Sequence, residues 1–370
     1  MINLLLIFAA ALLLAYCSDR RILVLPCANG RSIDLPLITM IVILSLFCGL
    51  RTTFNDTQTY INGFQNAVTL AEFWESEPSL WGNPLFYWLQ SFFRHHVSDN
   101  YHLFFLTIAA FNITCFIKFI KRYSEHFVFS ILLFFCLGLY VSNFAATKQT
   151  IAMAILTLAI PKLLEKKYVL FYLLVFFAML FHTYAIMFAI LPLFTERPWT
   201  FITYFTFFAV GVVLFTFEST ITTFLQYAEE LGKEISVTEV FETQSINVFR
   251  LAVYSVPPLL SFLFRRRLWL QMGRTENVMI NMSILSFLVM SLGLASAANL
   301  FGRSAIYFEL GTIVILPYIF SKLFTKQSAQ LLLGTATVLY TAFFVFDSSA
   351  FASGYSGITP IDFISTLLAP

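Results

Sequence analysis

Apolar residues in this chain come in long, nearly unbroken runs joined by short polar segments. That is neither the three-and-four spacing of a soluble amphipathic helix nor the alternation of a strand. A helix that crosses a bilayer needs about 20 predominantly apolar residues. Runs of this kind fall at 2–17, 35–50, 101–120, 127–145, 149–164, 200–217, 248–264, 278–297, 304–320 and 328–346. One further stretch, from Tyr168 to Phe194, is interrupted at Phe181-His182-Thr183. It is long for one crossing and short for two. The pattern predicts an all-α fold: a polytopic transmembrane helix bundle of about 10–12 helices, forming a single membrane domain over 1–370.

Two polar segments are long enough to build something outside the bilayer. Residues 51–100 contain Asn55-Asp56, Tyr60, Glu72, Trp74, Glu75, Glu77-Pro78 and Trp81. They end in an aromatic stretch, Asn83 to Phe93, with Pro84 at its start, which reads as a short interfacial helix. Residues 218–247 are acidic, with six Glu against Lys233, and read as one or two helices lying over the same face. The chain shows no internal repeat, low-complexity tract, Walker motif, GxGxxG, HExxH or GxSxG.

Composition strengthens the membrane reading. The 370 residues are 59% hydrophobic and 11% charged, with 45 Phe, and mean hydropathy is +0.81. A soluble domain is about 25% charged, so this chain could not cover a surface facing water. In lipid, helices satisfy their own backbone groups and the apolar side chains need no cover. Net charge of +2 is uninformative for an embedded protein, and no basic patch is large enough for nucleic acid, which is not expected as a partner. The five cysteines have neither CxxC nor metal-ligand spacing, so a metal site is not expected. The first apolar run lacks a basic region before it and reads as a retained helix instead of a secretory signal.

Charge then orients the bundle. If 168–194 folds back with His182 at its outer tip, one side carries Arg20, Arg21, Arg31, Lys118, Lys121, Arg122, Lys162, Lys166, Lys167, Arg197, Arg265, Arg266, Arg267, Arg274, Lys322 and Lys326. That is 16 of the 22 basic residues, and the positive-inside rule makes it the cytoplasmic side. Treating 168–194 as one crossing would move Arg265-Arg266-Arg267 outside. Only Arg51, Arg94, Lys148, Lys233, Arg250 and Arg303 remain outside, four of them at span ends. Singly, each is explained by snorkelling to headgroups or by pairing with a carboxylate. Converging, they fit an anionic ligand such as a lipid-borne phosphate or pyrophosphate.

The residues able to carry chemistry cluster at these outer ends. Arg51 and Asp56 emerge together from the second run, either as a polar cap or as a cation and carboxylate facing a substrate. Lys148-Gln149 opens the fifth run and suits either snorkelling or phosphate contact. His182 marks the break in its apolar stretch. It is a packed structural histidine or, with a pKa near neutrality, a base or phosphate donor. Arg303 opens another run, with Tyr307 and Glu309 following; an arginine fork suits phosphate.

Taken together, Leu50-Arg51, Asp56, Tyr60 and Phe64, then Glu77-Pro78, Lys148-Gln149-Thr-Ile-Ala152, Phe181-His182, and Gly302-Arg303 with Tyr307-Phe308 resemble the EpsG family. These are Wzy-type exopolysaccharide and O-antigen polymerases, distantly similar to GT-C glycosyltransferases, and the likeness runs from about residue 48 to 320. One departure is plain: Lys148-Gln149 stands where the family shows Arg-Gln, which keeps the charge and loses the bidentate fork. The resemblance implies a multi-pass enzyme of a bacterial inner membrane with its active site facing outward. It would join oligosaccharide repeat units carried on undecaprenyl pyrophosphate, without a nucleotide sugar, metal or other cofactor.

In the implied scheme Arg51, Lys148, Gln149, Arg250 and Arg303 hold phosphate groups, with Tyr60 and Tyr307 beside them. Asp56 or His182 is the base, with Glu77 in reserve. Membrane lipids, a flippase and a chain-length regulator of the same pathway are the implied partners. Two other enzymes and one carrier compete with this reading. A GT-C enzyme using a polyprenyl-phosphate monosaccharide predicts metal dependence. A flippase predicts charge lining the bilayer midplane, where this chain has little. A membrane O-acyltransferase predicts a second His near His182.

Overall fold

A computed structural model describes residues 2–26, 32–216, 222–223, 226–227, 245–295, 298–348 and 354–368. The described residues are overwhelmingly helical and pack as an all-α bundle, as the apolar runs predict. Helix α1 (Ile2–Asp19) leads through a short hairpin, β1 (Val24–Pro26) with β2 (Ser32–Asp34), into α2 (Leu35–Gly49). Asp34 caps α2, its Oδ1 accepting from the Leu37 amide at 3.0 Å, and Pro36 sits where a helix lacks an amide partner anyway. The acidic segment expected over 218–247 lies almost wholly outside the described residues, as do Cys27, Arg31 and Lys233.

The expected loop 51–100 is more structured than its sequence suggests. It holds α3 (Thr57–Gln65), α4 (Leu70–Glu75), a 3-10 turn (Leu80–Gly82) and α5 (Pro84–His96). Helix α4 starts in a capping box between Thr69 and Glu72. Helix α5 is the aromatic helix anticipated near 83–93. Phe86, Gln90 and Phe93 are buried on one face. On the other, Trp88, Phe92 and His96 stack at i, i+4 spacing, with centroids 5.2 and 5.3 Å apart. Arg94 reaches back to the Phe64 carbonyl at the end of α3.

The bundle follows with α6 (Tyr101–Tyr123), α7 (Phe127–Cys136), α8 (Leu139–Ala145), α9 (Thr147–Leu164), α10 (Tyr168–Phe181) and a 3-10 helix (Thr183–Phe194). After it come α11 (Phe201–Phe215), α12 (Val248–Leu263), α13 (Arg274–Leu292), α14 (Ala298–Ala305), α15 (Glu309–Leu323), α16 (Lys326–Ser348) and α17 (Pro360–Leu368). Among the described residues, five helical segments are long and apolar enough to cross a membrane, one of them running from Leu300 to Leu323, or six if α7 and α8 count as one bent span. Five others are apolar but only 10–17 residues long. At 1.5 Å per residue a 15-residue helix rises about 22 Å, short of a hydrocarbon core of about 30 Å.

The run 127–145, expected as one span, bends by 42° between α7 and α8. Gly138 sits at the break with φ +89, a left-handed conformation that residues with a Cβ avoid. Elsewhere small residues let helices meet. A Cβ on Gly49 would lie 2.5 Å from the Leu106 backbone, and one on Gly311 2.6 Å from the Met279 carbonyl, so α2 contacts α6 and α15 contacts α13 almost backbone to backbone.

Several polar side chains pair across the bundle. Asn112 donates to Asn143 and Thr150, and Ser130 donates to the Ile313 carbonyl. Both ends of segment 168–194 come to Arg274. Arg274 donates to the Tyr168 hydroxyl and lies 3.7 Å from Glu196, while Asn281 donates to the Phe194 and Glu196 carbonyls. The same end of the bundle holds the Asp19–Lys121 and Glu125–Lys322 pairs.

Candidate functional site

At the opposite end, the loop 51–100 covers the starts and finishes of several helices and brings separated polar residues together. The chain leaves α2 through strand β3 (Arg51–Thr53), which pairs with β4 (Ser356–Gly357) from near the C-terminus. Tyr355 fastens that return by donating to the Phe47 carbonyl and stacking on Phe47 with centroids 4.4 Å apart.

Arg51 turns inward and is 1% exposed. Its Nε donates to Thr57 Oγ1 at 3.1 Å, Nη1 to the Cys48 carbonyl at 2.9 Å and Nη2 to Thr147 Oγ1 at 3.1 Å. The guanidinium also lies 4.3 Å from the Phe105 ring centroid. Among the described residues no carboxylate pairs with it. The charge is held by carbonyl dipole at the C-terminal end of α2, two hydroxyls and a π face. It ties together the end of α2 and the first residues of α3 and α9.

Arg51→Ala is therefore expected to lower stability by about 3 kcal/mol or more, since bonds to a charged donor are worth about 1.5–3 kcal/mol each. Arg51→Lys should recover little of this, because an ammonium cannot span three acceptors in a plane. Thermal unfolding of the purified protein in detergent measures both. Wild-type unfolding temperatures would show that Arg51 does not brace the fold.

Asp56 and Arg303 meet across the chain. Asp56 stands just before α3 and its side chain caps nothing. Its Oδ2 lies 3.5 Å from Nη2 of Arg303, with the two side chains 38% and 49% exposed. Arg303 sits in the last turn of α14, and its carbonyl accepts from the Gln149 side-chain amide. Gln149 is buried, and its Oε1 has no hydrogen-bond partner among the described residues.

Lys148, in the first turn of α9, donates through Nζ to the Tyr87 hydroxyl at 2.6 Å and lies 4.2 Å from that ring's centroid. Its backbone amide bonds the Tyr60 hydroxyl. Burial pushes the Tyr60 phenol above its ordinary range, outweighing that bond. Tyr60 is thus a neutral prop between α3 and α9.

His182 ends α10 in extended backbone, and its Nδ1 lies 2.6 Å from the hydroxyl of buried Tyr307. The following Thr183 bonds through its amide and hydroxyl to Asn83 Oδ1, and through its hydroxyl to the Trp81 carbonyl. The loop thus grips the break in the 168–194 segment. Tyr184 stands beside His182, ring centroids 5.3 Å apart.

Arg250 near the start of α12 pairs with Asp347 at the end of α16, at 2.6 Å. Arg250, Asp347 and Arg303 line one cavity of about 180 Å³ with Phe54, Asn55, Ser142 and Tyr254. Beneath it, Tyr254 donates to Glu309 Oε1 at 2.9 Å; Glu309 is fully buried and its Oε2 has no partner among the described residues. Glu309, six residues after Arg303, faces the interior.

The structure thus joins Asp56 with Arg303, places Arg250 on the same cavity, and sets Gln149 against the Arg303 backbone. Lys148 with Tyr60, and His182 with Tyr307, flank that centre. Arg51 is behind it, and Glu77 stands apart, exposed in a turn at φ +48. Among the described residues, no three His, Cys, Asp or Glu gather in a way that could hold a metal.

Sequence reading passed over Asp347, Tyr254, Tyr87 and Tyr355. Asp347 did carry a signal, as a lone carboxylate closing an apolar run. The tyrosines carried none, because an aromatic beside an apolar run reads as headgroup-level packing. Comparison with known families matches residues 34–363 to the EpsG family. No curated protein and no solved structure matches significantly.

Proposed function

The chain belongs to the EpsG family, and from that premise we propose that it is a polysaccharide polymerase of a bacterial inner membrane. In this reading it joins oligosaccharide repeat units borne on undecaprenyl pyrophosphate, with its site on the outward face. The supporting observation is the cavity wall where Arg303, latched to Asp56, stands with Arg250, latched to Asp347. It lies at the end of the bundle away from the lysine- and arginine-rich turns, so the positive-inside rule puts it outward.

The chemistry follows from the two latches. A diphosphate carries more charge than a carboxylate and competes for both guanidinium groups. As it takes Arg303, the Asp56 carboxylate is released beside the reacting carbon and is free to accept a proton. The acceptor hydroxyl attacks the anomeric carbon and its proton passes to Asp56. The bond from that carbon to the diphosphate oxygen breaks, and its electron pair goes to the diphosphate.

Arg303 and Arg250 stabilise the charge that develops on the leaving group. Lys148 adds a further cation at the rim, and Arg51, Gln149 and Tyr60 hold these groups in place from behind. His182 with Tyr307 forms the second candidate base. A flippase and a chain-length regulator are the proposed pathway partners.

The polysaccharide profile of a deletion strain tests the function itself. Single-repeat material on a gel, with ladders restored by the wild-type gene, is the expected result. Ladders that persist without the gene would overturn the polymerase reading and favour a transporter of lipid-linked sugars.

A further inference from the structure

The site described above takes the head of a lipid-linked substrate but has no place for its tail. A large apolar cavity, about 770 Å³, lies between α12 and α16 with the end of α15 at its foot. Its walls include Phe249, Val256, Phe320, Ala336, Leu339 and Phe343. It opens on the flank of the bundle, since Phe249 is 56% and Leu339 64% exposed.

From Phe249 to Leu260 along α12 the groove runs about 16 Å, and from Leu332 to Phe346 along α16 about 21 Å. It therefore covers over half the depth of a hydrocarbon core of about 30 Å. Small side chains at Ala252, Ala336 and Ala342 keep it open.

Its upper end joins the charged cavity. Phe343 lines both. Phe249 directly precedes Arg250, and Phe346 directly precedes Asp347, so the last rings of the groove adjoin the ion pair. A long apolar channel that meets, at one end, a cavity lined by Arg250, Asp347 and Arg303 matches an amphiphile with an anionic head. One channel takes one chain, whereas a phospholipid carries two acyl tails on each head. Ring faces along the walls suit the methyl branches and double bonds of an isoprenoid.

We propose that this groove holds the polyprenyl tail of the lipid-linked substrate, with its diphosphate at Arg250 and Arg303. This rests on the polymerase reading and adds where the carrier enters, laterally between α12 and α16. The tail then fixes the depth of the diphosphate, so that the sugar meets Asp56.

Ala252→Trp and Ala342→Trp fill the groove from opposite walls. Both residues are exposed on the flank, so either variant serves if the other fails to fold, as checked by thermal unfolding. Native mass spectrometry of the purified full chain would follow binding of undecaprenyl diphosphate, farnesyl diphosphate and phosphatidylglycerol. The expected result is a loss of undecaprenyl diphosphate affinity of about tenfold or more in the filled variants, from apolar contact removed. Ala252 and Ala342 lie within two turns of Arg250 and Asp347, so farnesyl diphosphate, whose tail enters at that end, should weaken as well, though by less than undecaprenyl diphosphate.

Unchanged undecaprenyl diphosphate binding in filled, folded variants would overturn the groove and leave the polymerase reading intact. Equal competition by phosphatidylglycerol would also overturn it, making the groove a general lipid surface. If the wild-type protein binds no undecaprenyl diphosphate, the substrate assignment fails along with the groove.

Discussion

Asp56→Asn is expected to abolish ladder growth, lowering polymerisation by about 10²–10⁴-fold, the range a positioned general base supplies. The substitution is nearly isosteric and keeps an oxygen facing Arg303, so the loop before α3 should hold its shape. What it removes is the capacity to take a proton from the acceptor hydroxyl. A split between turnover and binding separates this role from simple positioning. With purified protein and lipid-linked repeat units, the Asn variant should bind substrate and fail to turn it over, while Asp56→Glu should retain turnover at reduced rate. If Asp56→Asn polymerises normally and His182→Ala does not, the base is the histidine held against Tyr307.

Arg303→Ala is the second large effect, expected at about 10²–10³-fold in turnover, the cost of removing one preorganised charge-stabilising donor. Stability should hardly change. The Asp56–Arg303 pair is substantially exposed at 38% and 49%, and such surface pairs contribute about 0–1 kcal/mol. The backbone there is secured independently, because Gln149 bonds the Arg303 carbonyl and not its side chain.

Arg303→Lys should recover part of the rate, keeping charge without the bidentate fork. Among the described residues lining the cavity, a lysine at 303 would leave Arg250 as the remaining guanidinium. Full activity in Arg303→Ala, at wild-type expression, would remove Arg303 from the diphosphate site.

The buried Arg51 is the counterpart to these exposed groups. From sequence, Arg51, Lys148 and Arg303 are equivalent cations at outer span ends. In the structure they differ in kind: Arg303 faces a cavity, Lys148 rests on an aromatic face, and Arg51 is enclosed with its nitrogens committed to Thr57, Cys48 and Thr147. Sequence distance from the end of a helix does not distinguish them, because each side chain can turn outward or inward. The surrounding helices decide which direction is open.

What the sequence determined by itself is what depends on local chemistry. Apolar runs without charge demand lipid, and a chain in lipid must satisfy its backbone within helices, so the all-α membrane bundle was legible before any packing was known. The break at Phe181-His182-Thr183 and the aromatic helix after Pro84 were legible for the same reason. So were the polar residues at helix ends where chemistry could gather.

Tertiary structure alone decided the rest. Helices in loop 51–100, only nine, six and thirteen residues long, are held by packing on one another and the bundle instead of by an apolar run. The bend at Gly138 depends on a left-handed residue that has no signature among apolar neighbours. Above all, the pairing of Asp56 with Arg303, of Arg250 with Asp347 and of His182 with Tyr307 arises where distant helices end at the same depth. A side chain's partner across a bundle is set by the approach and rotation of whole helices, which no short stretch of sequence records.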